Sequence, residues 1–150
     1  MEQPLFYFDD FSVGDTFVGD SVEVTEADIK RFAAEFDPQP FHLDDEAARG
    51  TMFGGLAASG WHTAAITMRL LVVSGPKLAN GILGAGADVE WKRPTRAGDV
   101  LRVESEVVEL TPSRSRPQYG VLTLRTRTVN QRGEVVQILT ARLMVERRAA

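Results

Sequence analysis

The chain of 150 residues contains no cysteine, which excludes disulfides and thiolate metal sites alike. Histidine is scarce: His42 and His62 are the only two, and scattered carboxylates add little material for a zinc centre. Excess positive charge is also lacking. The formal charge of −4 argues against a nucleic-acid surface, because phosphate binding draws on clustered Lys and Arg. Arg114, Arg116 and Arg125 form the one candidate basic patch. No apolar run is long enough to span a bilayer, the longest, Ala64 to Val73, being broken by Thr67 and Arg69. Met1 to Asp10 shows no basic stretch followed by an apolar run, so no signal peptide is expected and a cytoplasmic protein is. With 43% hydrophobic and 25% charged residues, the composition is that of a soluble globular protein, read as a single domain over residues 1–150.

The first half of the chain carries helix signals. After a strand near Thr16 to Val24, Thr25 is placed as the N-cap of a helix whose Ile29, Phe32, Ala33 and Phe36 recur at i, i+3, i+4, i+7. Asp37-Pro38 ends it, since the residue before a proline is pushed out of the α region. A short helix is expected at Asp44 to Arg49, closed by Gly50, and a longer one from about Ser59 to Val73. The long helix is apolar nearly all round, which predicts burial on most sides. The second half alternates instead: Ala87 to Lys92, Val100 to Leu110, Gly120 to Asn130 and Glu134 to Glu146 read as antiparallel strands. One buried helix and about five strands predict an α+β fold with the sheet curled around the helix. Such a sheet leaves edges exposed, and pairing them predicts a homodimer.

Phe36-Asp37-Pro38-Gln39-Pro40-Phe41-His42-Leu43 is the segment with the most chemistry. Two prolines stiffen the backbone between an acid and an imidazole, and the surrounding apolar residues turn part of it inward. A carboxylate and a histidine held together can share one water, one taking its proton while the other steadies it. The competing reading makes Asp37 a turn cap and His42 a satisfied, half-buried histidine; Asp-x4-His does not decide between them. Gly54, Gly55 and Gly60 precede the long helix, whose N-terminal N–H groups offer an oxyanion site that Gly60 would leave open. The same glycines equally serve a tight turn. Ser59 and His62 do not fit a nucleophile elbow, so Ser59 reads as the helix N-cap. Trp61 and Phe53 are candidates to line a pocket, with the core the plainer place for Trp61. Gly81 to Gly86 lacks the lysine of a phosphate loop and reads as the approach to a strand.

Three stretches in order, Phe32 to Asp44, Phe53 to Gly60 and Trp91 to Leu101, resemble the MaoC-like dehydratases and (R)-specific enoyl-CoA hydratases. The resemblance implies a hotdog fold, a dimer, and a CoA thioester as substrate with no metal or redox cofactor. It implies that Asp37 and His42 form the catalytic dyad, that the Gly60 N–H polarises the thioester carbonyl, and that Ser59, Gln39, Trp61 and Phe53 lie about the substrate. Two departures stand out: Gln39 replaces the usual Asn, and Ser59-Gly60 stands where His-Gly is frequent. Arg93, Arg96, Arg114 and Arg116 are candidates for the CoA phosphates because they are cationic and near turns. A hotdog thioesterase and a non-catalytic acyl-CoA-binding protein are the alternatives. The first is disfavoured because Trp61 to Val73 carries no Asp or Glu.

Overall fold

The computed structural model describes residues 3–149. Met1 and Glu2, part of the stretch weighed above as a leader, lie outside the described residues, as does Ala150. Five strands, β1 (Thr16–Glu23), β2 (Gly84–Trp91), β3 (Val100–Pro112), β4 (Tyr119–Val129) and β5 (Val135–Glu146), form one antiparallel sheet. Its order is β1-β3-β4-β5-β2, so β1 and β2 are the edges. A 3-10 turn at Phe8–Asp10 and four α-helices complete the described chain: α1 (Glu26–Phe36), α2 (Pro40–Leu43), α3 (Asp45–Arg49) and α4 (Gly60–Ser74). The sheet curves around α4 in the hotdog arrangement that the resemblance implied.

Alternation builds the core. Leu101, Val103 and Val107 of β3 are buried between outward-facing charged neighbours, and Leu122, Leu124, Leu143 and Val145 continue the apolar face. Leu70 and Leu71 of α4 pack into that cluster, while Val24, Ile29, Leu56, Ala58, Leu101 and Val136 form a second one beneath α1. Ile66 packs against both clusters and joins them. Each fully buried aliphatic side chain, such as Ile29 or Leu101, is worth roughly 1.5–3 kcal/mol by transfer from water.

The helix starts follow the expected chemistry. Thr25 Oγ1 accepts from the Asp28 N–H at 3.1 Å, and Asp44 caps α3 through Oδ2 to the Ala47 N–H at 3.0 Å. Three features differ from expectation. Pro40 starts a helical turn, α2, because its fixed φ suits a first helical position. β2 begins at Gly84 rather than Ala87, drawing part of the glycine-rich approach into the sheet. And α4 is not buried on most sides: Trp61, Met68, Val72 and Val73 are exposed, because the sheet and α1 cover only its other faces. No helix among the described residues is long and apolar enough to cross a membrane.

Candidate active site

The site is assembled by three local devices. α1 ends at Asp37, whose N–H still bonds the Ala33 carbonyl at 2.9 Å, so the carboxylate is held just beyond the last turn. The turn of α2 then brings the chain back, placing His42 Nε2 3.4 Å from Asp37 Oδ2. Finally the Ala57 carbonyl accepts a hydrogen bond from His42 Nδ1 at 2.6 Å. A carbonyl can only accept, so Nδ1 carries a proton, and Nε2 is the ring nitrogen that faces Asp37. Phe41, edge-on at 4.6 Å, and Phe53, tilted at 5.6 Å, enclose the imidazole, which is 4% exposed.

Asp37 is surrounded by donors. Gln39 Nε2 donates to its Oδ1 at 2.5 Å, and the Ser59 hydroxyl is a second neighbour that favours the ionised carboxylate. Burial pushes its pKa up, but the Gln39 and Ser59 hydrogen bonds and the nearby His42 outweigh that, leaving it below the ordinary 3.8. Ser59 Oγ also accepts from the Trp61 N–H at 3.2 Å, so a single hydroxyl caps α4 and steadies Asp37.

A cavity of about 380 Å³ opens beside the dyad, lined among others by His42, Phe53, Gly60, Thr63 and Trp91. Asp37 is not in that lining; its carboxylate sits beside the imidazole that is. Another hollow, of about 460 Å³ along β1, β3 and β4, touches neither dyad residue. Gly60 opens α4, where the first N–H groups have no intrahelical acceptor and the helix dipole is positive. Among the described residues no group of three or more His, Asp or Glu side chains converges as a metal centre would need.

The residues singled out from the sequence separate into three groups. Phe53 and Gly60 line the cavity, while Gln39 and Ser59 hold Asp37 instead of lining it. Trp61 does neither and is not core: it is 60% exposed and meets Trp91 edge-on at 5.2 Å. Of the candidate phosphate cations, Arg93 lines the cavity. Arg96 is committed elsewhere, donating to the carbonyls of Phe53, Gly55 and Leu56. Arg114 and Arg116 fall in the connection between β3 and β4, outside the cavity lining. Sequence reasoning had no signal for Arg96 as the fastener of the loop before α4. It also passed over Asp45, whose Oδ1 accepts from the Leu56 N–H at 2.9 Å in the same loop.

The curved sheet, the central helix and the pair at its N-terminus together define a hotdog-fold protein. A family model described as MaoC like domain matches residues 10–130, and the chain belongs to that family. It is similar to a solved MaoC-like dehydratase of Rhodospirillum rubrum, at 59% identity and a TM-score of 0.94, covering 97% of this chain and 99% of that one. It is 36% identical over 125 residues to YdeM of Bacillus subtilis, described as uncharacterized, covering 83% of this chain and 87% of YdeM. It is 33% identical over 121 residues to 3-hydroxybutyryl-CoA dehydratase of Methylorubrum extorquens, covering 79% of this chain and 74% of that enzyme.

Proposed function

We propose that this protein is a hydratase of 2-enoyl-CoA thioesters, also running in reverse as a dehydratase of 3-hydroxyacyl-CoA. The observation that carries the reading is the Asp37–His42 pair with its tautomer set by the Ala57 carbonyl. In the reacting state this proposal assigns, with the His42 ring neutral, both groups facing the gap accept hydrogen bonds: an ionised carboxylate and the Nε2 lone pair. A water between them donates a proton to each, and its oxygen lone pairs are left free for attack.

In hydration that oxygen bonds to C3 of the enoyl thioester while one O–H bond breaks. The proton passes to His42 Nε2, and the imidazolium is steadied by Asp37. The C2=C3 electrons move to the thioester oxygen, whose negative charge meets the Gly60 N–H and the positive end of α4. The same proton then moves from His42 to C2, which restores the thioester and the neutral ring. Dehydration is the reverse. Proton and charge balance within the pair and the substrate, so this scheme requires no metal or redox cofactor. Phe53 packs beside the acyl group, Ser59 and Gln39 keep Asp37 ionised and oriented, and Arg93, in the cavity lining, is the candidate to meet a CoA phosphate.

The exposed stripe of α4 and the free edge of β2 support a homodimer. The thioesterase alternative lacks a carboxylate on α4, whose residues from Gly60 to Ser74 include no Asp or Glu. Incubation with a panel of 2-enoyl-CoAs tests the reading. Loss of the enoyl absorbance without release of free thiol supports it; thiol release, or binding without turnover across the panel, contradicts it.

A further inference from the structure

Trp91, the last residue of β2, is a wall of the cavity and lies against the first turn of α4. A Cβ on Gly60 would fall 2.5 Å from Trp91 Cε2 and 2.8 Å from Cδ2, so the indole occupies the space a side chain there would need. Trp91 Nε1 donates to the Gly60 carbonyl at 3.0 Å and to Gln137 Oε1 at 3.0 Å. Gln137 is fully buried, and its Nε2 donates to Thr67 Oγ1 at 2.9 Å. The Thr67 hydroxyl donates to the Thr63 carbonyl at 2.9 Å, which leaves Thr128 as the donor in the 2.5 Å contact between the two hydroxyls.

The direction of each bond is therefore settled, and the chain runs from Trp91 through Gln137 and Thr67 to the backbone of α4. A polar relay of this kind stabilises little in a core unless every member is satisfied, but when satisfied it admits one arrangement of the parts it joins. Here it joins the indole to α4 at a second point, Thr67, about two turns beyond Gly60. Glycine has the widest backbone freedom of any residue. An indole pressed on its Cα and bonded to its carbonyl removes that freedom at the residue that opens α4 and lines the cavity.

We propose that Trp91 is the positioning residue for the Gly60 N–H and that Gln137 locks the indole in place. The catalytic consequence rests on the role given to that N–H above; the restraint itself does not. The experiment compares wild type with Trp91→Phe, which keeps a ring but loses the donor, and Gln137→Met, which keeps the length but loses both polar atoms. The ¹⁵N order parameter of the Gly60 amide reads the restraint directly. It is expected to fall in both variants from the rigid range of about 0.85 toward the flexible range. With crotonyl-CoA, kcat is expected to fall about tenfold or more while KM changes little, the pattern of a misplaced transition-state contact.

An unchanged order parameter in both variants overturns the proposal whatever the activity. A mobile Gly60 with unchanged kcat overturns its catalytic half. Should Gln137→Met fail to fold, Trp91→Phe alone decides both readings. Absence of enoyl-CoA turnover in wild type would count against the proposed function, and the order parameter would still decide whether Trp91 positions Gly60.

Discussion

The Asp37–His42 contact of 3.4 Å is long for a direct hydrogen bond and suits two groups that share a water. The pair was readable in the sequence because acid, prolines and imidazole sit in one short segment. Their fasteners were not, because each lies far along the chain: Ala57 is 15 residues from His42, and Trp91 is 31 from Gly60. Gly60 shows the gap most clearly. The sequence suggested an opening for a substrate carbonyl, whereas the structure also places an indole where the side chain would be. Gly60→Ala is therefore expected to cost about 1–3 kcal/mol through overpacking. Removing the indole should relieve that cost, so Gly60→Ala combined with Trp91→Ala should be less destabilised than the sum of the single changes. Denaturant titration of the four proteins checks this, and strict additivity would contradict the steric account.

At the scale of elements, the strand alternation and helix caps were largely readable, since local chemistry decides them. The face of α4 that stays uncovered was not, because it depends on which residues the sheet and α1 reach. Contact between α1 and α4 includes His62 stacked on Phe32 at 4.8 Å, with Nδ1 buried and unpartnered. Burial holds the His62 pKa below the ordinary 6.5; Asp28 pulls it up and Arg31 pushes it down, and the burial effect is the largest. The folded state thus resists a proton that the unfolded chain accepts. Stability is fully present above about pH 6.5 and is lost as pH falls below it toward the folded pKa. His62→Phe keeps the stack and removes the titration. Its stability relative to wild type should rise between pH 8 and pH 5.5, and a constant difference across that range would contradict the assignment.

The loop from Phe53 to Leu56 is a second such element, fastened by one guanidinium to three carbonyls. Lysine cannot reproduce that planar fork. Arg96→Lys should raise KM for enoyl-CoA by about tenfold, in line with the cost of a small misplacement, because Phe53 of this loop lines the cavity. Steady-state kinetics reads it, and an unchanged KM would show that the fork is dispensable.

Considered whole, the molecule presents a β2 edge and an apolar stripe of Trp61, Ala65, Met68 and Val72 on α4. A second copy is expected to cover them. Sedimentation should show a dimer for wild type, with Val72→Glu shifted toward monomer; a monomeric wild type would remove that expectation. The sequence pointed to pairing through the general liability of open edges but had no means of showing which helix face stays bare.

The central claim is that Asp37 and His42 act together on one water. The measurement that tests it most directly is kcat/KM for loss of the enoyl band with crotonyl-CoA and longer 2-enoyl-CoAs. It is made on wild type, Asp37→Asn, His42→Ala and the double variant. The account predicts losses of about 10²–10⁴-fold in each single variant, and little further loss in the double, since the two groups work as a unit. Near-wild-type activity in either single variant on a substrate that wild type hydrates would contradict it.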